Sequence, residues 1–285
     1  MIYFCADDYG ISEKSNERIQ NCLENGVLNK VSVLPNGKIT DFKKCLDKPD
    51  TVLSLHINLV DSYALSDCDK INLLVSDDGT FKYSFVGIFL VSLTTKRRIL
   101  EQQLYIELQN QLRFWKKAVG DDVFFSIDSH QHTHMIPVVF KTLMKVIKDE
   151  GLKVDSIRIP NEPLLPYLLT PSLYFSYKIK GLVKHWLLKI LALVNDKELK
   201  KSQIPYSYFM GVMFSGRLNQ KVIKKLLPHY LKMAEKKNKD IEIAFHPGYV
   251  NTGEKVIDGS RADFGKFYYS PLRKAEYDTL INFNI

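Results

Sequence analysis

The chain has few cysteines and no CxxC spacing. The four among its 285 residues (Cys5, Cys22, Cys45, Cys68) all fall in the first quarter. A disulfide framework and a cysteine-based zinc ribbon are thereby excluded as organising devices. Long hydrophobic runs are missing as well. The most apolar stretch, 181–194, is broken by Lys184, His185 and Lys189 and falls short of the roughly 20 residues a bilayer span needs. No basic segment with an apolar stretch and a small-residue cleavage site opens the sequence, so no signal peptide is read and a cytoplasmic protein is expected. Internal repeats, low-complexity tracts and domain linkers are not detected. With 45% hydrophobic and 25% charged residues, disorder is excluded too. The expectation is one domain over 1–285 with an insertion at about 160–207. Lys and Arg exceed Asp and Glu by 40 − 32 = 8, which permits acidic partners without requiring them.

What is present alternates between two periods. Short β-branched or aromatic runs at 2–6, 30–34, 52–57, 123–127, 154–159, 208–213 and 241–245 read as strands. Segments of helical period lie at 13–24, 41–46, 96–117, 137–149 and 218–237. Several of the strands are apolar nearly throughout, as strands covered on both faces of a parallel sheet are. The alternation predicts an α/β fold, either a barrel or a doubly wound sheet. Polar chemistry recurs at strand ends along the whole chain, and a barrel gathers all such ends at one mouth. We therefore expect a (β/α) barrel-like fold related to the eight-stranded barrels, with seven countable strands. Two stretches fit poorly: 59–95, and 160–207 with its apolar, basic, aromatic segment at 174–199. Long insertions after barrel strands form either substrate walls and lids or plain surface excursions.

The strand-end residues carry the functional reading. Asp7 and Asp8 follow the first strand, and adjacent carboxylates repel unless each has a partner or a raised pKa. One can ligate a metal while the other handles a proton; helix-capping aspartates are the plain alternative. His56 lies near the end of the third strand, where a satisfied core histidine is the competing reading. The run from Asp128 through His130, His132 and His134 is harder to explain by packing. Its imidazoles stand at i, i+2 and i+4, which in extended backbone share one face, and Asp128 is suited to orient a ligating ring. Arg158 ends the fifth strand; it binds a substrate oxygen, orients Asp7, or makes a structural ion pair. His246, before Pro247-Gly248, is well located for a general acid. His185 and His229 lie in helix-like stretches and are expected to face solvent.

Taken together, these phrases resemble the YdjC-like carbohydrate deacetylases, which include the chitooligosaccharide deacetylases. The resemblance rests on Ala6-Asp7-Asp8-Tyr9-Gly10-Ile11-Ser12, His56-Ile57-Asn58-Leu59 and Asp128-Ser129-His130-Gln131-His132-Thr133-His134. Arg158-Ile159-Pro160 and His246-Pro247-Gly248 support it in order, so it covers the chain to about Tyr249. It implies a barrel-like fold, a divalent metal (magnesium foremost, with zinc also suited to the ligands) and hydrolysis of an N-acetyl group on an amino sugar. It further implies Asp8, His56 and His130 as ligands, Asp7 as base and His246 as acid. His132 and His134, with Asp128 and Arg158, are left for supporting or substrate contacts. Tyr9 stands where relatives often have Phe, and the segment after Tyr249 matches no part of the pattern. A homodimer is left open.

Two rival readings stay in view. HxH is also a ligand pattern of amidohydrolase-type barrels, although those usually carry it on the first strand, and two tightly bound ions would favour them. The charge balance and the lysine-rich stretch 220–239 would suit a nucleic-acid or membrane-surface binder, but no nucleic-acid motif is found.

Overall fold

The computed structural model describes residues 1–39, 42–120 and 124–283. Among the described residues seven strands form the sheet: β1 (Ile2–Tyr9), β2 (Lys30–Val33), β3 (Val52–Ile57), β4 (Ser126–Ser129), β5 (Ser156–Ile157), β6 (Tyr208–Met210) and β7 (Ile241–Phe245). All pair in parallel, in the order β5-β4-β3-β2-β1-β7-β6. The sheet curls into a half-barrel whose seam lies between β5 and β6. There the Ile157 N–H donates to the Pro205 carbonyl at 3.0 Å. The expected α/β barrel-like fold with seven strands is what forms.

Helices α1 (Glu13–Asn25), α2 (Phe85–Val91), α3 (Arg97–Val119), α4 (Pro137–Asp149), α5 (Leu165–Leu168), α6 (Ile179–Ser202), α7 (Gln220–Lys237), α8 (Ala262–Tyr268) and α9 (Pro271–Ile281) accompany the sheet. The segment expected to be helical at 41–46 is a 3-10 turn, Phe42–Asp47; Asp41 and Val123 lie outside the described residues. Local signals set the boundaries. The Ser12 hydroxyl accepts from the Ser15 N–H at 3.0 Å and starts α1, and Pro137 begins α4 at a position where its missing N–H costs nothing.

The strands are buried on both faces, but the two faces differ in kind. One presents Phe4, Val31, Leu53, Leu55, Ile127, Ile157 and Ile243, all in the hydrophobic core. The other presents Cys5, Asp7, Lys30, Ser32, Ser54, His56, Ser126, Asp128 and Glu242, equally buried and hydrogen-bonded to one another. The Lys30 ammonium donates to Glu242 at 2.9 Å and to the Ser126 hydroxyl at 3.0 Å. Ser32 and Ser54 both donate to Asp128, at 2.5 and 3.0 Å. A buried polar face is stable only when its groups satisfy one another in this way.

The insertion holds α6, and one expectation fails there. His185 is 1% exposed, not solvent-facing, and its Nδ1 lies 4.0 Å from Glu162. The sequence misleads because α6 is apolar around most of its circumference, so no polar arc marks its outer side. No helix among the described residues is long and apolar enough to cross a membrane.

Candidate active site

The C-terminal ends of the strands converge on a cavity of about 450 Å³, lined among others by Asp7, Asp8, His56, His130, His132, Lys184, His246, Phe264 and Phe267. A larger cleft, about 1240 Å³, lies against α3, α4 and the end of α6 and contains none of the strand-end acids or imidazoles. The chemistry therefore belongs to the smaller cavity.

A break in β1 brings both aspartates there. In a regular strand neighbouring side chains point to opposite faces. Here the pairing with β2 shifts register between Ala6 and Tyr9, and Asp8 adopts φ 71°. Such irregularities re-aim side chains beside active sites. Gly10, at φ 114°, then passes within 3.3 Å of the Gly37 backbone, measured from where a Cβ would stand. That approach explains the glycine after Asp7-Asp8-Tyr9.

Asp8, His56 and His130 form one cluster, with ligand-type atoms all within 4.8 Å of one another. The His56 Nδ1–H donates to Asp128 at 2.5 Å, which turns Nε2 toward Asp8, 3.4 Å away. His130 Nδ1 is 2.8 Å from the same Asp8 oxygen, and its Nε2 faces the Tyr268 hydroxyl at 3.4 Å. Tyr268 in turn donates to Asp61 at 2.6 Å. A carboxylate oxygen facing two imidazole nitrogens is a mutual repulsion unless a proton or a cation lies between them. Burial would push the Asp8 carboxyl up, but His130 and Arg273 outweigh it and hold it well below the usual range. Burial also opposes charge on His56, yet Asp128 and Asp8 push its pKa up to about 10. Four carboxylates (Asp7, Asp8, Asp128, Glu242) meet three fixed cations (Lys30, Arg158, Arg273) in this network. The fourth carboxylate is balanced at the cluster by a proton on His56 or by a bound cation in its place. The donor set thus fits a divalent metal.

Asp7 is held differently. Both its oxygens accept from Arg158, at 2.7 and 2.8 Å, and Arg158 also donates to Glu242 at 2.5 Å and lies 3.1 Å from Asp128. Arg158 is buried behind Asp7 and does not line the cavity, so orienting Asp7 and making structural ion pairs with Glu242 and Asp128 are the roles left to it. Burial opposes the charge on Asp7, but Arg158 and His56 prevail and hold its carboxyl below the usual value. The groupings Asp7–His56–Asp128 and Cys5–Asp128–Glu242 also bring donor atoms together. Arg158 already sits among their carboxylates, so neither offers a second metal position.

The three histidines after Asp128 do not share a face. They lie in a turn, His130–Met135, in which Gln131 and His132 take left-handed φ of 55° and 59°. His130 enters the Asp8 cluster. His132 lines the cavity edge-on to Phe209 at 5.8 Å, with its Nδ1 unpartnered, and burial holds its pKa well below the ordinary value. His134 points into the protein. Its Nε2–H donates to the Arg158 carbonyl at 2.7 Å, and its Nδ1 accepts from the Ser129 hydroxyl at 2.5 Å. Burial lowers its pKa to about 4, so it is a neutral tether for the Arg158 backbone.

His246 follows β7 and lines the cavity, with Nδ1 3.6 Å from Glu276. Glu276 also accepts from the His246 backbone N–H at 2.6 Å. Gly248 is required by packing: a Cβ there would stand 2.0 Å from the Ser15 hydroxyl oxygen, which donates to the Gly248 carbonyl at 3.0 Å. Sequence reasoning missed the contribution of the C-terminal segment, which supplies Phe264, Phe267, Tyr268, Arg273 and Glu276. It also missed Lys184, a half-buried residue of α6 on the cavity wall. The one local signal was the spacing of Arg273 and Glu276, which puts both on a single helix face.

Comparison with known proteins gives the relatives of this chain. A carbohydrate deacetylase of Danio rerio is 28% identical over 165 residues, which is 56% of this chain and 50% of the relative, so the chain spans about half that protein's length. A chitooligosaccharide deacetylase of Escherichia fergusonii is 25% identical over 62% of this chain and 68% of the relative. A carbohydrate deacetylase of Thermoanaerobacter pseudethanolicus is 26% identical over 67% and 75%. A solved structure from Enterococcus faecalis V583, described as a candidate cellobiose-phosphate cleavage protein, shares the fold with a TM-score of 0.67. It is 15% identical and covers 99% of this chain and 90% of its own. The family model for YdjC-like protein matches residues 1–283; with both aspartates, His56, His130 and His246 at one mouth of the half-barrel, the chain belongs to the YdjC-like family.

Proposed function

We propose that this chain hydrolyses the N-acetyl group of an N-acetylated amino sugar, releasing acetate and leaving the free amine. The observation that carries the reading is the Asp8–His56–His130 cluster beside an Asp7 held in both oxygens by Arg158, on one cavity wall with His246. The deacetylase names of the relatives support the same reaction class. Asp8, His56 and His130 would hold a divalent cation, magnesium by family resemblance; their nitrogen donors also suit zinc. When bound, that ion supplies Lewis acidity toward water and toward the acetyl carbonyl.

The chain's own groups supply the proton transfers. Asp7, kept ionised by Arg158, accepts a proton from the attacking water. As the C–N bond breaks, protonated His246 delivers a proton to the departing nitrogen, since an amine leaves poorly without one. Glu276, 3.6 Å from the His246 Nδ1, orients that ring. Phe264 and Phe267 give the cavity the apolar walls on which a sugar ring and an acetyl methyl can pack.

Acetate release from di-N-acetylchitobiose, with and without a chelator, tests the proposal. Release that stops with the chelator and returns on adding magnesium or zinc is expected. No release from this or any other N-acetyl sugar, with the cation bound, would overturn it.

A further inference from the structure

We propose that the outer face of α6 docks on an anionic lipid bilayer, so that the cavity opens toward amino sugars held at a membrane surface; the second clause rests on the function proposed above. Helix α6 is apolar on two opposite sides. At 100° per residue, Leu188, Leu191, Ala192 and Leu199 fall on one arc and are buried. Ile179, Val183, Trp186, Ile190, Leu193 and Val194 fall on the opposite arc and are 50–79% exposed. A helix that merely covers a core keeps its outer arc polar, and a contiguous exposed apolar stripe of roughly 22 Å marks an interaction surface.

Charge identifies what covers the stripe. Residues 178–202 carry seven lysines against Asp196 and Glu198, and Lys178 and Lys180 are exposed beside the start of the stripe. The Lys189 ammonium lies 5.1 Å from the centre of the Trp186 ring. A second copy of this face, paired about a two-fold axis, would bring lysines against lysines. An anionic bilayer instead offers an apolar layer beneath a negative one, which matches a helix lying in the interface plane with tryptophan and lysine at headgroup level. The helix does not span, because no helix among the described residues is long and apolar enough.

Position ties the face to the site. Lys184 and Leu187 of α6 line the cavity that holds Asp8 and His130. So does Phe85 of α2, a helix whose Val86 and Leu90 are exposed. A bilayer against α6 would meet the cavity rim on that side.

Flotation of the full chain with phosphatidylcholine vesicles, with and without phosphatidylglycerol, tests the docking. Binding to the anionic vesicles, weakened by salt, is expected. Ile190→Glu with Leu193→Glu should reduce it about tenfold or more, and Lys178→Glu with Lys180→Glu, which disturbs no core residue, should reduce it similarly. Circular dichroism and acetate release from soluble di-N-acetylchitobiose should be unchanged in both. Absence of flotation with folded wild-type protein overturns the proposal. So does a dimer in sedimentation that Ile190→Glu with Leu193→Glu dissolves, which would give the face to a second copy. Flotation with no acetate release from any N-acetyl sugar, the cation being bound, supports the docking and rejects the reaction; acetate release without flotation rejects the docking alone.

Discussion

Arg273, in the last helix, donates its guanidinium to Asp8 at the end of the first strand, 265 positions earlier in the chain. The same group donates to the Gly248 carbonyl at 3.0 Å and lies 4.3 Å from the centre of the Phe267 ring. The oxygens of Asp8 are thus divided, one toward Arg273 and the other toward His56 and His130. As the proposed ligand, an Asp8 held this way would be oriented before any cation arrives.

Arg273→Met should therefore act on both stability and metal retention. It leaves a buried carboxylate without its fixed counter-ion, a loss of about 3–5 kcal/mol when no other partner replaces it. Thermal unfolding should shift to lower temperature, and bound metal measured after dialysis should fall. Arg273→Lys should recover part of both, because it restores the charge without the second donor to Gly248. An unchanged melting temperature with full metal content in Arg273→Met would remove this residue from the site.

Substitutions at the two aspartates should separate the cation from the proton. Asp8→Ala and His130→Ala are expected to lose metal and turnover together. Asp7→Asn keeps a similar shape and should retain the metal while turnover drops about 10²–10⁴-fold, the usual range for losing a positioned base. Elemental analysis of the three variants beside their acetate-release rates reads both quantities. Metal loss in Asp7→Asn would make Asp7 a ligand.

The legible part of the site consists of groups whose local context announces them: a polar residue at the end of an apolar strand. Asp7, Asp8, His56, His130 and His246 were readable on that basis. The histidine run was readable as a cluster but not in its geometry, because left-handed φ at Gln131 and His132 follows from tertiary contacts, not from residue type. Arg273 and Glu276 offered only their i,i+3 spacing, and Tyr268 offered nothing. Their partners lie far away in sequence, and a polar residue on a helix looks solvent-facing until the buried face is known. The fold was more legible, since seven strands alternating with helical segments predict a parallel α/β sheet and the polar strand ends favour a barrel over an open sheet. The polar inner face escaped notice because serines between apolar residues read as ordinary strand alternation.

His134 makes stability depend on pH. Its pKa is lowered to about 4 by burial, from about 6.5 in an unfolded chain. The unfolded state therefore binds the proton first, and stability is full above about pH 6.5 and lost as pH falls toward 4, by about 3 kcal/mol at most. His132, lowered by the same cause, adds in the same direction. Urea unfolding of metal-free protein between about pH 7 and 4.5 should show this slope, and His134→Gln should flatten part of it. Equal slopes in the two proteins would mean that His134 titrates as it does in the unfolded chain.

Glu276 should act on the reaction through His246. Its carboxylate accepts from the His246 backbone at 2.6 Å and faces the ring nitrogen at 3.6 Å, while its other oxygen accepts from the Leu218 N–H at 3.1 Å. Glu276→Gln preserves size and one acceptor, so the fold is expected to survive with a modest loss of stability. The ring then loses a charged neighbour that fixes its orientation, so acetate release should slow. His246→Ala should slow it further, and the double variant should behave as His246→Ala alone, because Glu276 has nothing left to orient. A Glu276→Gln change that slows the His246→Ala enzyme by the same factor as the wild type would instead assign Glu276 to holding the turn after β7.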